Sequence, residues 1–290
     1  TFTVTPATVS NTYSGFVTLQ MTNLPAGDPV VVQKFLDLNT NGVIDGSDWL
    51  VQQFTVTDGT NFVIGGATNL SVPGDLNAAT GAITAALNFK GGDFVQNIIG
   101  TYLYKISSPL GHFTPITNAF TITNSPYPQG FTGTAVSSGA GTPLSHTVVI
   151  LFPAPRAGNH GPGTPVGAVV ASLSGSYSIS VPPGTYVPLA FGSNYVADYP
   201  ASPVLTLGSQ TINTNLALTI ATSSITGRAV DAANSGFGLP GVFEPASSQS
   251  GQIAVGFTDT NGYFNLPVTS GNWSLGGDDS GLIVQGYVGS

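Results

Sequence analysis

Apolar side chains recur at every second position over short stretches along nearly the whole chain. Thr1-Phe-Thr-Val-Thr5, Phe16-Val-Thr-Leu-Gln-Met21, Thr101-Tyr-Leu-Tyr-Lys-Ile106 and Ala119-Phe-Thr-Ile-Thr123 alternate apolar with polar residues and are bounded by Gly, Pro or Asn. A period of two turns one face of a strand toward a core and the other toward water. The best helical stretch, Asn77 to Leu87, contains Gly81 and two Thr, and its Ala82 to Leu87 part reads equally well as a strand. With 38 Gly and 21 Pro punctuating short strands, the predicted fold class is all-β, built of sandwiches.

The chain also repeats itself. Phe131-Thr-Gly-Thr-Ala-Val-Ser137 is echoed by Ile225-Thr-Gly-Arg-Ala-Val-Asp231, and Gly175, Tyr177, Gly184 and Tyr186 recur 87 positions later as Gly262, Phe264, Gly271 and Trp273. Several matches at one offset mark a duplicated module. The expected organisation is therefore an Ig-like sandwich over 1–124 followed by two related sandwiches over 125–221 and 222–290.

The repeat resembles the carboxypeptidase regulatory-like family, a transthyretin-like β-sandwich. The last copy carries the resemblance in Ile225-Thr-Gly-Arg-Ala-Val230, Gly238-Leu-Pro-Gly-Val242, Thr258-Asp-Thr-Asn-Gly-Tyr-Phe264 and Ser270-Gly-Asn-Trp-Ser-Leu275. The middle copy replaces the hairpin by Ser172-Leu-Ser-Gly-Ser-Tyr177 and carries a Pro- and Gly-rich insert from Pro153 to Pro165. The resemblance implies a fold and a spacer or adhesive role in secreted chains, not a reaction.

The two copies differ at their ends. The middle copy continues for 35 residues after Tyr186, through Val204-Leu-Thr-Leu207 and Thr211 to Ile220, whereas 17 residues follow Trp273. At least one closing strand is expected to be missing from 222–290. A neighbouring subunit could donate it, as in pilus-like β-augmentation. A naturally shorter copy or a cut chain would explain the same length. Thr1 to Thr5 is a candidate donor, or else the first strand of its own sandwich, broken at Pro6.

A loop supplies candidate metal chemistry. In Asp37-Leu-Asn-Thr-Asn-Gly-Val-Ile-Asp-Gly-Ser-Asp48, Asp37, Asn39, Asn41, the Val43 carbonyl, Asp45 and Asp48 fall at EF-hand positions 1, 3, 5, 7, 9 and 12, with Gly42 at 6. Calcium takes six to eight oxygens, Gly42 permits the bend, and Ile44 can pin the loop to apolar neighbours. The loop resembles that of the dockerin family, but Val30 to Leu36 and Trp49 to Val56 read as strands where EF-hands have helices. We expect a calcium staple between strands, of modest affinity with Asp at the last position; a metal-free Asx-rich turn is the alternative.

Composition narrows the function. Charged residues make up only 6%, against about 25% in ordinary soluble chains. Weak mutual repulsion favours self-association, here expected as a homopolymer, or a sugar coat. Asn69-Leu-Ser71 and Asn272-Trp-Ser274 are candidate glycan sites. A net charge of -8 argues against nucleic acid and anionic membranes as partners. There is no Cys, so disulfides and Cys-ligated zinc do not contribute. The chain starts at Thr1 without Met and has no long apolar run, which fits an exported, processed protein with no membrane insertion.

Catalytic signatures are weak. His112, His146 and His160 lack metal-ligand spacing, and no GxSxG elbow occurs. Glu244, the sole Glu, has no paired acid nearby in sequence. Lys–Asn isopeptide crosslinks of the kind found in similar adhesins are excluded from both repeats, because residues 106–290 hold no Lys; Lys34, Lys90 and Lys105 remain, with solvated ammonium groups the simpler reading. The expected role is a non-enzymatic subunit of an extracellular filament or surface layer. The alternative is an adhesive or carbohydrate-binding region of a larger secreted protein. A secreted hydrolase would need a pocket holding His or paired carboxylates.

Overall fold

The computed structural model describes residues 1–64, 66–89, 94–154, 164–199, 202–234, 236–278 and 280–287. The fold is all-β. The first ten strands are β1 (Phe2–Thr5), β2 (Thr8–Ser10), β3 (Phe16–Thr22), β4 (Pro29–Leu36), β5 (Trp49–Thr57), β6 (Val63–Ile64), β7 (Ala67–Thr68), β8 (Ala82–Asn88), β9 (Gly100–Ser107) and β10 (Ile116–Thr123). They form a sheet of order β1-β3-β8, a sheet of order β2-β10-β9-β4-β5 and a small β6-β7 hairpin. Alternation puts Leu19, Met21 and Ile83 of the first sheet and Val32, Tyr102, Phe120 and Ile122 of the second into one core, each at most 1% exposed. The ambiguous Ala82 to Leu87 stretch lies within a strand, because its Ile83, Ala85 and Leu87 face this core.

The N-terminal run belongs to its own sandwich. β1 lies antiparallel to β3, with Phe2 opposite Met21, and after Pro6 the chain crosses to the other sheet, where β2 runs parallel to β10. Of the two roles left open for Thr1 to Thr5, the structure selects the first strand of the same sandwich.

The remaining strands are β11 (Gly130–Ser137), β12 (Thr147–Pro153), β13 (Gly167–Val170), β14 (Ser176–Ser180), β15 (Gly184–Gly192), β16 (Tyr195–Asp198), β17 (Leu205–Leu207), β18 (Thr211–Asn213), β19 (Leu216–Ile220), β20 (Ser223–Arg228), β21 (Phe243–Ser248), β22 (Gln252–Phe257), β23 (Tyr263–Val268) and β24 (Trp273–Leu275). The sequence repeat is a repeat of bonding. β11 pairs with β14 as β20 pairs with β23, and β12 lies between β13 and β15 as β21 lies between β22 and β24. Individual bonds recur too: Ala135 N to Gly175 O matches Ala229 N to Gly262 O, and Leu144 N to Ala135 O matches Leu239 N to Ala229 O. The Tyr186 hydroxyl donates to Pro182 O at 2.8 Å, and the Trp273 indole to Thr269 O at 2.9 Å, both four residues back.

Neighbouring parts of the chain share backbone and side-chain contacts. β16 pairs with β19 on one side and, through Ala197↔Ile253 and Asp198↔Gln252, with β22 on the other, so one sheet runs across both repeats. Ile99 adds a parallel bridge to Val169 on β13. Phe243 lies 5.4 Å from Phe94 and 5.3 Å from Phe257, and Phe257 lies 5.3 Å from Trp49. A short 3-10 helix, η1 (Phe94–Gln96), precedes β9, and a second, η2 (Ser280–Gln285), ends the described chain against β5.

Several of the few acids work as acceptors for backbone N–H groups in loops. Asp58 accepts from Gly27 and Gly81, while Asp75 accepts from Gly59, Asn77 and Thr84. The first of these bonds holds the Asp58 carboxyl below its ordinary range. Asp75 is 5% exposed, and its loss would remove the acceptor shared by three N–H donors, of which those of Asn77 and Thr84 are half-buried. Asp75→Ala is expected to lower the unfolding free energy by about 2 kcal/mol or more, measured by chemical denaturation; an unchanged midpoint would contradict this role.

Candidate functional site

The 37–48 loop joins two paired strands, with Leu36 opposite Trp49 in the β4–β5 ladder. Asp37 is 1% exposed; its oxygens accept from Asn41 N at 3.2 Å and Gly42 N at 2.9 Å. Gly42 has φ of +74°, with open space around a built Cβ, so the backbone conformation alone favours glycine there. Asn39 and Asn41 each accept a backbone N–H two residues on, the Asx-turn bond. Their amide nitrogens both donate to Asp45 Oδ2, at 2.7 and 2.9 Å. Ile44 packs on Phe35, Leu50 and Leu103, pinning the loop, while Val43 is exposed.

The loop therefore gathers Asp37, Asn39, Asn41 and Asp45, and Asp48 ties its ends together. Asp48 accepts from Leu38 N at 3.2 Å and Asp45 N at 3.0 Å, using both oxygens on backbone. Bonds from Ser47 first, then Asn39 and Asn41, hold the Asp45 carboxyl well below its usual range. Burial first, then the charges of Asp37 and Asp45, raises Asp48. The donors are hard oxygens of the kind calcium takes, yet among the described residues no three His, Cys, Asp or Glu are grouped to hold a metal. Coordination would require the two Asn amides to turn their oxygens inward.

Other ionisable groups are placed where the sequence reading did not put them. Lys34 is 3% exposed rather than a surface ammonium. Its Nζ donates to Gln96 O at 3.0 Å and Gln96 Oε1 at 3.2 Å and sits 4.3 Å from the Tyr102 ring centroid. Burial brings it down to about 7. Its bonded partner is a Gln, not the Asn of an isopeptide link. Lys34 lines a cavity of about 120 Å³ with Gln52, Gln96, Tyr104 and, from the end of the chain, Ile283 and Val284; its described lining holds neither a His nor a carboxylate. His112 pairs with Asp28 at 2.9 Å, without a hydroxyl bonded to the other ring nitrogen among the described residues. His146 sits in a left-handed turn; His160 and Lys90 lie outside the described residues. The two sequon residues differ in setting: Asn69 Oδ1 accepts from Ser71 N, and Asn272 is exposed.

Glu244 takes an inward position. Through the matched ladders Val149↔Val169 and Glu244↔Gly256, it stands where the middle repeat has a fully buried Val149. Burial raises its carboxyl to about 7.

The widest departure between the repeats is at an edge. β11 has β14 on one side and, on the other, β18 and β19 running parallel to it. Among the described residues β20 pairs with β23 alone. Phe131 and Ala135 of β11 are fully buried, whereas their equivalents Ile225 and Ala229 are only half-buried, and Ser224, Thr226 and Arg228 are exposed. Antiparallel alternation sends the N–H and C=O groups of Ile225 and Gly227 to β23 and those of Ser224, Thr226 and Arg228 outward. The end of the chain covers part of this side: Leu282 and Tyr287 pack with Leu239, Val242 and Ala229, and Tyr287 donates its hydroxyl to Asp231.

No protein-family model matches the sequence, and no curated protein is similar to it. Among solved structures, a group B streptococcus pilus 2b backbone protein aligns at 16% identity and a TM-score of 0.26, over 76% of this chain and 98% of that one. A streptococcal ancillary pilin aligns at 12% identity and a TM-score of 0.26, over 89% and 85%. Macromomycin aligns at 18% identity and a TM-score of 0.23, over 42% and 98%. Superpositions of this quality establish neither a shared arrangement nor a shared role.

The two shifted groups act in different pH windows. Glu244 holds its proton more tightly folded than unfolded, so its contribution is full below the ordinary carboxyl value of 4.5 and is lost as pH rises through about 7. For Lys34 the folded value of about 7 lies below the ordinary amine value of 10.5, so stability is gained as pH rises between them. Thermal melts should show Glu244→Gln flattening the profile from pH 4.5 to 7 and Lys34→Met flattening it from 7 to 10.5. Unaltered slopes in either variant would contradict the corresponding placement.

Proposed function

We propose that this chain is a non-enzymatic structural subunit of an extracellular filament or surface assembly, in which copies join by strand addition at the 222–290 module. The observation that carries the reading is the outer edge of β20, unpaired among the described residues, where the equivalent edge of β11 pairs with β18 and β19. An exposed edge with half-covered apolar residues is a template for pairing. The low charge supports it, since a chain with 6% charged residues opposes close packing of copies weakly.

Electron microscopy and light scattering of the purified chain test the reading. Ordered, concentration-dependent assemblies are expected; a chain that stays monomeric at high concentration would contradict it.

We propose further that the 37–48 loop takes calcium through Asp37, Asn39, Asn41, Val43 O, Asp45 and Asp48, stiffening the β4–β5 connection. Chelation should lower the melting temperature, and Asp37→Ala should remove that response. A melting temperature indifferent to both chelator and added calcium would leave the loop as an Asx-rich turn.

A further inference from the structure

In the middle repeat β18 and β19 cover the outer edge of β11, whereas among the described residues the equivalent edge of β20 has no strand on it. Comparing the two specifies the partner such an edge would take. In the middle repeat β18 lies parallel to β11, with Gly130↔Thr211, Phe131↔Ile212 and Thr132↔Asn213. Thr214 N donates to Thr132 O at 2.8 Å, and the Asn215 side chain accepts from Thr134 N at 3.0 Å. The strand passes so close over Gly133 that a Cβ there would collide with Thr214 O. The equivalent positions in β20 are Ser224, Ile225, Thr226, Gly227 and Arg228, each reached by the offset that maps Phe131 onto Ile225.

We infer that the outer edge of β20 accepts an extended segment of a neighbouring polypeptide, parallel to β20, in the register that β18 keeps with β11. The inference rests on the assembly reading only in taking this edge as a joining surface; it specifies the direction, the register and the chemistry of the incoming strand.

Its chemistry follows from the template and from the edge itself. Thr211 to Ile220 contains no charged residue; its polar side chains are all hydroxyls or amides, set among Ile212, Leu216, Leu218 and Ile220. The β20 edge is matched to such a strand. Its one charge, Arg228, has its guanidinium held by Asn261 O at 2.9 Å and Gly236 O at 3.1 Å. A carboxylate arriving there would have to compete with those bonds, and a second cation would be repelled. The space open to the strand is also bounded. Leu282 and Tyr287 already occupy the side at Ala229 and Asp231, where β19 would continue in the middle repeat, with Ala135↔Leu216 and Ser137↔Leu218. The acceptor is therefore the β18-like half, Ser223 to Arg228, about 20 Å of strand. Ile212 of the template lies opposite Phe131, so an apolar residue at that place would lie opposite the half-buried Ile225.

A synthetic peptide with the sequence of residues 209–217 is the probe, added to the intact chain under dilute conditions. Hydrogen exchange read by mass spectrometry should show new protection within residues 223–229, and a scrambled peptide should give none. N-methylation at the residue corresponding to Thr214 should weaken binding about tenfold or more, by removing the bond equivalent to Thr214 N to Thr132 O. In the protein, Thr226→Pro removes only an outward N–H and spares the β23 ladder. This variant should keep the wild-type melting temperature and lose the peptide. Protection elsewhere, binding indifferent to N-methylation, or full binding by Thr226→Pro would overturn the inference.

The outcomes separate this inference from the assembly reading. A chain that binds the peptide in register but never assembles upholds the acceptor and contradicts the filament role. Copies that assemble through residues 223–229 by pairing folded edges antiparallel contradict the parallel acceptor and leave the filament role standing.

Discussion

Backbone N–H and C=O groups along a strand edge need partners, and this chain depends on how that need is met in each sandwich. In the first sandwich the leading strand splits, β1 bonding one sheet and β2 the other. In the middle repeat the chain runs on past its core strands and returns with β18 and β19 to cover β11. In the last repeat the chain turns into η2 and covers only one end of β20. Because β11 and β20 share sequence, inner partner and individual hydrogen bonds, the difference between them is one of covering rather than of fold.

The same demand explains what the few acids do. In a chain with 6% charged residues, Asp37, Asp45, Asp48, Asp58, Asp75, Asp231 and Asp259 all accept backbone N–H groups in loops. A short carboxylate can replace a missing ladder partner where the backbone turns. The calcium-type loop belongs to this pattern, with Asp37 and Asp48 tying its ends, and a cation would reinforce a closure already begun. Lys34 and Glu244 stand apart, since each occupies an inward position without an ion-pair partner among the described residues, and each responds by a shift toward neutrality.

Much of this was legible in the residues, and what was missed has physical reasons. Period-two alternation gave the strands, including the ambiguous one at Ala82. Repeat matching made β11 and β20 equivalents, and their ladders to β14 and β23 repeat that match. The burial of Lys34 was also written in the pattern, since Val30, Val32, Lys34 and Leu36 share one face of β4. The inward place of Glu244 was not, since its match to Val149 comes from the strand ladders. The β16–β22 pairing involves only two residue pairs, and short edge contacts between separate cores have no periodic signature. Nor does spacing show that Asp48 accepts from Leu38 N and Asp45 N with its two oxygens.

Amide hydrogen exchange on the dilute, unassembled chain tests the open edge most directly. Thr134 and Arg228 hold equivalent places in the two repeats, and among the described residues only Thr134 N has a partner, Asn215 Oδ1 at 3.0 Å. An open β20 edge predicts slow exchange at Thr134 and near-unprotected exchange at Arg228, with Gly227 protected by its ladder to β23. Equal protection at Thr134 and Arg228 in the monomer would show that the last sandwich closes its own edge, and would contradict the role assigned to it.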